Sequence, residues 1–350
     1  MQAIVARLQN NILQPFLEDI DIPHFNDNEV LIKVKKTGIC GSDLHLFTGN
    51  CFSGVKSFPQ IIGHEFSGII EKKGKNVAGF ECGDYIASES VVSCGKCTNC
   101  KVVEKNNCNN AELIGFTKPG AFADYICIDY RYIHKINSFI NKFGEEKGLV
   151  LGALLEPLGC AYKAIFLINR KNDFDKKNFI VLGAGPIGLS AVWLLSTLTT
   201  ANIYLVDEVQ DRLNLAKNMH CKLIKTHISE DFFSSSILPK SDFIFETSGI
   251  PLNLNTTVPK VLNSNSAMIY ISRNAVNLNV SMDTFVSNDF TLVGSRGHRG
   301  AFSHLINIIL NQNIDSLLNI VEKKQLSLFE LPKVLKDKKN FIKGKIIVSI

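Results

Sequence analysis

No uninterrupted apolar run in the 350-residue sequence approaches the ~20 residues that a membrane-spanning helix needs. The most apolar window, Phe179 to Leu198, is broken by a glycine cluster and reads as strand, turn and buried helix. Met1 to Asn10 has neither a continuous apolar stretch nor a cleavage-like site, which argues against a signal peptide. A soluble, cytoplasmic protein with no membrane partner is therefore expected. A concentrated basic stripe is also missing. The net charge of +5 is spread along the chain, and the lysines of 33–36 and 336–339 form short, interrupted groups. These read as solvated faces, so no nucleic-acid partner is expected. There is no internal repeat and no low-complexity linker.

Ten cysteines are present. Four of them fall between Cys94 and Cys108, and the others are scattered. Without an export signal the thiols should stay reduced, so the cluster points to metal rather than to disulfides. The length suggests two domains. From Met1 to about Leu155 the chain reads as short β-rich segments, Glu29 to Lys35, Phe66 to Lys72, Tyr85 to Ser90 and Ala123 to Ile128, separated by glycine- or cysteine-rich loops. From Glu156 to about Gly294 strands alternate with helical patterns. Phe179 to Leu182 precedes a helix through Leu198, and Ile203 to Val206 precedes one near Arg212 to Asn218. Phe243 to Glu246 and Met268 to Ile271 read as later strands. That alternation indicates a parallel, doubly wound sheet, hence an α/β fold class. A helix at Ala301 to Asn311 and a final strand at Ile346 to Ile350 follow. This tail is expected to rejoin the first part, making the divisions 1–155 with 295–350, and 156–294.

Gly183-Ala184-Gly185-Pro186-Ile187-Gly188 lies between an expected strand and an expected helix. A lone G-x-G-x-x-G is weak, but this context is right on both sides. Gly183 permits the tight turn, Gly185 lets backbone approach a pyrophosphate, and Gly188 allows close helix–strand packing. The helix N-terminus would face the phosphates. Asp207 ends the second strand near the expected distance, where a carboxylate accepts ribose hydroxyls and repels a 2′-phosphate. NAD is thereby favoured over NADP, although Arg212 nearby offers a partner for a 2′-phosphate.

Cys94, Cys97, Cys100 and Cys108, with Gly95 inside the loop, suit a closed tetrahedral zinc site of structural type. An iron–sulfur cluster is the rival use of four cysteines, but nothing else in the chain suggests electron transfer. Two more segments carry ligand-type residues: Gly38-Ile39-Cys40-Gly41-Ser42-Asp43-Leu44-His45 and Gly63-His64-Glu65. Each alone is modest evidence.

Taken in order with the four-cysteine lobe, Glu156-Pro157, the glycine fingerprint and Asp207, these segments resemble the zinc-containing medium-chain dehydrogenase/reductase family from end to end. The resemblance implies a GroES-like β-rich catalytic domain joined to an inserted Rossmann domain, with the active site between them. It implies that Cys40 and His64 ligate a catalytic zinc. Many alcohol dehydrogenases of the family have a cysteine where this chain has Glu156, a departure that looks like the sorbitol and polyol dehydrogenase branch. There Glu65 is the expected third ligand, with Glu156 bound directly or through water. Cys160 matches a position that contacts nicotinamide. Pro157 suits the first position of a helix with Glu156 at its start. Ser42 would begin a proton relay with His45 at its solvent end, and Asp43 would orient His64. Two zinc ions per chain and NAD are the implied cofactors, and a dimer or tetramer the implied assembly.

The ligand set favours a hydroxyl-rich secondary alcohol: a sugar alcohol, sugar phosphate or cyclitol. A threonine dehydrogenase and a simple secondary alcohol dehydrogenase stand as alternatives. A zinc-braced, non-catalytic protein leaves Cys40, Ser42, His64 and the fingerprint unexplained, and a zinc-free quinone reductase fits the ligands poorly. The basic run Gly294 to Gly300, with Arg296, His298 and Arg299, reads either as an anion contact or as a hinge with solvent-facing charges. Ile271-Ser272-Arg273 falls near the expected nicotinamide site.

Overall fold

The computed structural model describes residues 1–10, 12–47, 58–101, 107–168, 174–229, 232–233, 237–250, 252, 254–272, 281–298, 300–324, 326–337 and 343–350. Arg273 and Arg299 lie outside the described residues. Two sheets organise the chain. The first is built on Glu29–Gly38, a strand whose Val30, Ile32 and Val34 are buried. It pairs antiparallel with Glu65–Lys73, with Tyr125–Asp129 and with the C-terminal strand Ile347–Ser349. Segments more than 300 residues apart in sequence, such as Ser349 and Lys36, thus pair at one strand. An N-terminal hairpin, Gln2–Gln9 with Ile12–Asp19, was not legible beforehand. Its second strand carries Pro15, which an edge position tolerates because a missing N–H costs no ladder bond there.

The second sheet has six parallel strands. Numbered in chain order, Asn178–Leu182, Asn202–Asp207, Lys222–Lys225, Ser241–Glu246, Leu262–Tyr270 and Thr291–Gly294 lie in the order 3-2-1-4-5-6. This is the doubly wound arrangement that opens a ligand crevice where the order reverses, between the first and fourth strands.

One helix departs from expectation. Glu145–Ile168 runs unbroken for 24 residues with Pro157 in its interior, so Pro157 does not open a helix and Glu156 sits in the middle of one. A proline inside a helix costs about 3 kcal/mol. Sixteen of the helix's residues are buried, Leu151, Leu154, Leu155 and Leu158 among them. At about 1.5–3 kcal/mol for each large aliphatic chain, that packing outweighs the proline. The same helix is long and apolar enough to span a membrane by length and composition, a feature missed in the sequence, but 72% of its most apolar stretch is buried within the molecule. It packs against the β-rich sheet on one side and the helix Pro186–Leu198 on the other.

Candidate active site

The fingerprint forms the strand-to-helix turn it suggests. Gly183 has φ 96°, a conformation glycine adopts without steric cost. A Cβ on Gly188 would stand 1.9 Å from the Gly183 carbonyl oxygen, so only glycine lets the helix Pro186–Leu198 approach the turn. Gly185 caps that helix, Pro186 is its first residue and Ile187 follows half-buried. Asp207 does more than expected of it. Its Oδ2 accepts the Ala184 N–H at 2.7 Å and its Oδ1 that of Val209 at 2.8 Å, so the carboxylate braces the glycine turn. Arg212 lies 3.6 Å from the same carboxylate. Gly183, Gly185, Asp207 and Arg212 line a cleft of about 320 Å³, closed on its other side by Ile39, Leu44 and Lys343.

Between Ile39 and Gly41, both of which line this cleft, Cys40 precedes the short helix Gly41–His45, which carries Ser42, Asp43 and His45. Ser42 and His45 are three residues apart and share a helix face. Asp43 is fully buried; its Oδ2 accepts the Cys40 N–H at 2.9 Å, and its Oδ1 stands 3.3 Å from His64 Nδ1. That contact is not aligned as a hydrogen bond, and neither atom has a hydrogen-bond partner among the described residues. With Nδ1 turned toward Asp43, Nε2 is the ring atom left for a metal. Cys40, His64 and Glu65 offer ligand atoms that all lie within 4.8 Å of one another. Gly38 makes room for this, since a Cβ there would meet Glu65 Oε2 at 2.3 Å.

The electrostatics suit a cation. Burial alone would lower the His64 pKa, but Asp43 and Cys40 outweigh it and hold it well above the ordinary value. The site therefore stabilises positive charge at that point. The buried Glu65 and Glu156 carboxylates and the Cys40 sulfur gather around one ammonium, Lys345, a set of groups whose negative charge a metal cation could help balance. Burial pushes the Glu65 carboxyl upward, and Lys345 works against it.

Lys345 was not anticipated. It is 2% exposed, donates to Glu65 Oε2 and reaches the Ile39 carbonyl at 3.0 Å. Glu156 stands outside the three-residue cluster; its Oε1 accepts the Ser90 hydroxyl at 2.7 Å, with the Cys160 thiol 3.8 Å away. Burial of Cys160, together with the nearby Glu156, pushes its pKa well up. His298 is fully buried, which removes it from any solvent-facing hinge, whereas Arg296 is exposed. Ser272 donates to the buried Glu246 carboxylate at the end of the fourth parallel strand.

The four-cysteine lobe is assembled. Its sulfurs lie within 4.8 Å of one another, with Cys97 to Cys100 at 3.4 Å, Cys97 to Cys108 at 3.7 Å and Cys94 to Cys100 at 3.9 Å. Tetrahedral zinc with bonds of about 2.3 Å requires sulfur separations near ~3.8 Å. Backbone N–H groups of Lys96 and Cys97 draw the Cys94 thiol down to about 6, toward the thiolate a metal needs.

Residues 26–138 match the alcohol dehydrogenase GroES-like domain. The L-threonine 3-dehydrogenase of Protochlamydia amoebophila is 31% identical over 310 residues, 85% of this chain and 86% of that protein. The chain belongs to the zinc-containing medium-chain dehydrogenase family. It is a zinc-dependent, NAD(P)-linked alcohol dehydrogenase with a GroES-like and a Rossmann part. The scyllo-inosose 3-dehydrogenase of Thermotoga maritima is 27% identical over 343 residues, 91% of this chain and 86% of that one. The galactitol-1-phosphate dehydrogenase of Escherichia coli shares the fold along the full length of both chains, with a TM-score of 0.84 at 23% identity.

Proposed function

We propose that this dehydrogenase oxidises a hydroxyl-rich secondary alcohol, a polyol, cyclitol or sugar phosphate, with NAD as acceptor. The observation that carries the reading is the Cys40, His64 and Glu65 cluster, whose Cys40 lies in the chain between Ile39 and Gly41 of the dinucleotide cleft. These three would hold the catalytic zinc, and Glu156 stands outside their cluster. Cys94, Cys97, Cys100 and Cys108 hold a second, structural zinc. Bound there, zinc would supply Lewis-acid polarisation of an alcohol oxygen, and NAD would supply the hydride acceptor. Ser42 accepts the alcohol proton and passes it toward His45; Asp43 fixes the His64 ring. Gly183, Gly185, Pro186, Ile187 and Gly188 cradle the pyrophosphate, and Asp207 with Arg212 faces the ribose. The preference for NAD rests on Asp207, whose buried carboxylate opposes a 2′-phosphate.

The glutamate at 156 and the likeness to scyllo-inosose and galactitol-1-phosphate dehydrogenases support a polyhydroxylated substrate. L-threonine is the second reading, favoured by the identity with the Protochlamydia protein. The same proposal has residues 1–155 and 295–350 forming the catalytic part, 156–294 the nucleotide part, and a cytoplasmic homotetramer or homodimer as the working form.

The test measures zinc per chain by elemental analysis, on one preparation assayed with NAD and NADP against polyols, cyclitols, their phosphates and L-threonine. Two zinc ions with NADH formed from a polyol, cyclitol or phosphate is the expected result. Turnover of L-threonine alone transfers the reading to the second substrate. One zinc with no turnover overturns the catalytic site.

A further inference from the structure

Behind Glu156 lies a buried polar arrangement that the reaction as described does not use. Ser90 Oγ stands 2.7 Å from Glu156 Oε1 and 3.1 Å from His298 Nε2. The backbone N–H of Ser90 also donates to His298 Nε2, at 3.1 Å. An imidazole nitrogen that receives an N–H bears a lone pair, so the ring proton is on Nδ1. That atom faces Glu89 Oε2 at 3.6 Å, and Glu89 Oε1 in turn pairs with His134 Nε2 at 2.9 Å. Burial lowers the His298 pKa, in keeping with a neutral ring. The ring is seated against the helix that carries Glu156, since a Cβ on Gly159 would lie 2.6 Å from His298 Cβ.

The Ser90 hydroxyl has one proton, and Glu156 Oε1 at 2.7 Å is its acceptor, because the single lone pair of His298 Nε2 already receives the Ser90 backbone N–H. We propose that Ser90 is a positioning residue that sets whether Glu156 stands back from the metal or joins it. While the hydroxyl donates to Oε1, the carboxylate is held off the Cys40, His64 and Glu65 cluster. When the carboxylate leaves, the hydroxyl is left with the His298 Nε2 lone pair that the Ser90 N–H already uses, so the move gives up a buried hydrogen bond. The hydroxyl thereby favours the withdrawn position of the carboxylate. The Ser90 backbone N–H holds His298 in the tautomer whose Nε2 accepts. This inference rests on the zinc reading above and adds residues distant in sequence from Cys40, His64, Glu65 and Glu156.

Cobalt-substituted enzyme supplies a readout besides activity, because its visible bands report ligand exchange at the catalytic position. The closed four-cysteine site does not contribute to the change that NADH induces. In Ser90→Ala the NADH-induced change should be lost and kcat should fall about tenfold, a size usual for groups behind metal ligands, with KM within about threefold. Ser90→Thr, which keeps the hydroxyl, should restore both. Should Ser90→Ala not fold, Ser90→Cys carries the same expectation, being of similar size and a poor donor. Unaltered bands and kcat in the Ala or Cys variant overturn the role of Ser90, as does failure of Thr to restore them. Absence of NADH formation and of any NADH response in the unsubstituted enzyme overturns the zinc reading along with it.

Discussion

At the residue scale, the ligand-type side chains were legible because each group sits in a short contiguous segment whose spacing carries the chemistry. Cys40, His64 and Glu65 converge within 4.8 Å, and replacing Cys40 with Ser removes the thiolate of that set. We expect Cys40→Ser to lower zinc from two to one per chain and to abolish turnover, while fluorescence titration still shows NADH binding. Near-normal turnover in that variant would remove the catalytic metal from the mechanism. Another residue-scale outcome concerns acid. Burial would raise the Asp84 carboxyl, but Lys135, the Glu81 amide and Asn137 outweigh burial and hold it below its ordinary value. A depressed folded pKa gives stability that is complete above the unfolded value of about 3.9 and is lost as pH falls through the folded one. Asp84→Asn should therefore unfold at lower urea than the unsubstituted protein at pH 7, and the two midpoints should converge below about pH 4. A gap that is constant with pH would sink this account.

At the scale of elements, periodicity and turn chemistry located most strands and the fingerprint helix, with ends shifted by a few residues. The chief miss was the helix Glu145–Ile168. Pro157 is a strong local stop signal, and what overrides it is packing on two sides by residues far away in the chain. Local rules cannot register that. The fingerprint shows the opposite case, where one glycine encodes a tertiary contact. Gly188→Ala places a Cβ against the Gly183 carbonyl, a backbone atom that cannot swing aside. Overpacking of this kind costs about 1–3 kcal/mol, so thermal unfolding should come several degrees lower and NADH binding should weaken. A variant with unchanged melting and cofactor affinity would show that the helix can shift without loss. The cysteine lobe should behave as a brace: Cys97→Ser is expected to lose one zinc and to lower the melting temperature or disturb assembly. A soluble, normally stable variant lacking that zinc would count against a structural role.

At the scale of the molecule, what the sequence hides is which distant residues share a buried charge. Ser90 and His298 lie 208 positions apart, and Glu65 and Lys345 lie 280 apart. Lys345 precedes a short apolar strand, and nothing in its neighbourhood marks it as buried. It reaches Glu65 only because the strand Ile347–Ser349 returns to pair with Glu29–Gly38. Both partners are about 2% exposed or less, so each depends on the other for its charge. Removing one partner of such a pair costs about 3–5 kcal/mol, because the remaining charge is left without compensation in a poorly polarisable site. Replacing both with uncharged groups of similar size costs far less. Lys345→Met in the zinc-free protein, where no metal offsets Glu65, is therefore expected to lose about 3–5 kcal/mol in urea unfolding. Glu65→Gln with Lys345→Met should recover most of that loss in stability. It should still fail in turnover, because Glu65 belongs to the proposed ligand set. A double variant no more stable than Lys345→Met alone would mean that the lysine acts through packing of its chain and not through its charge.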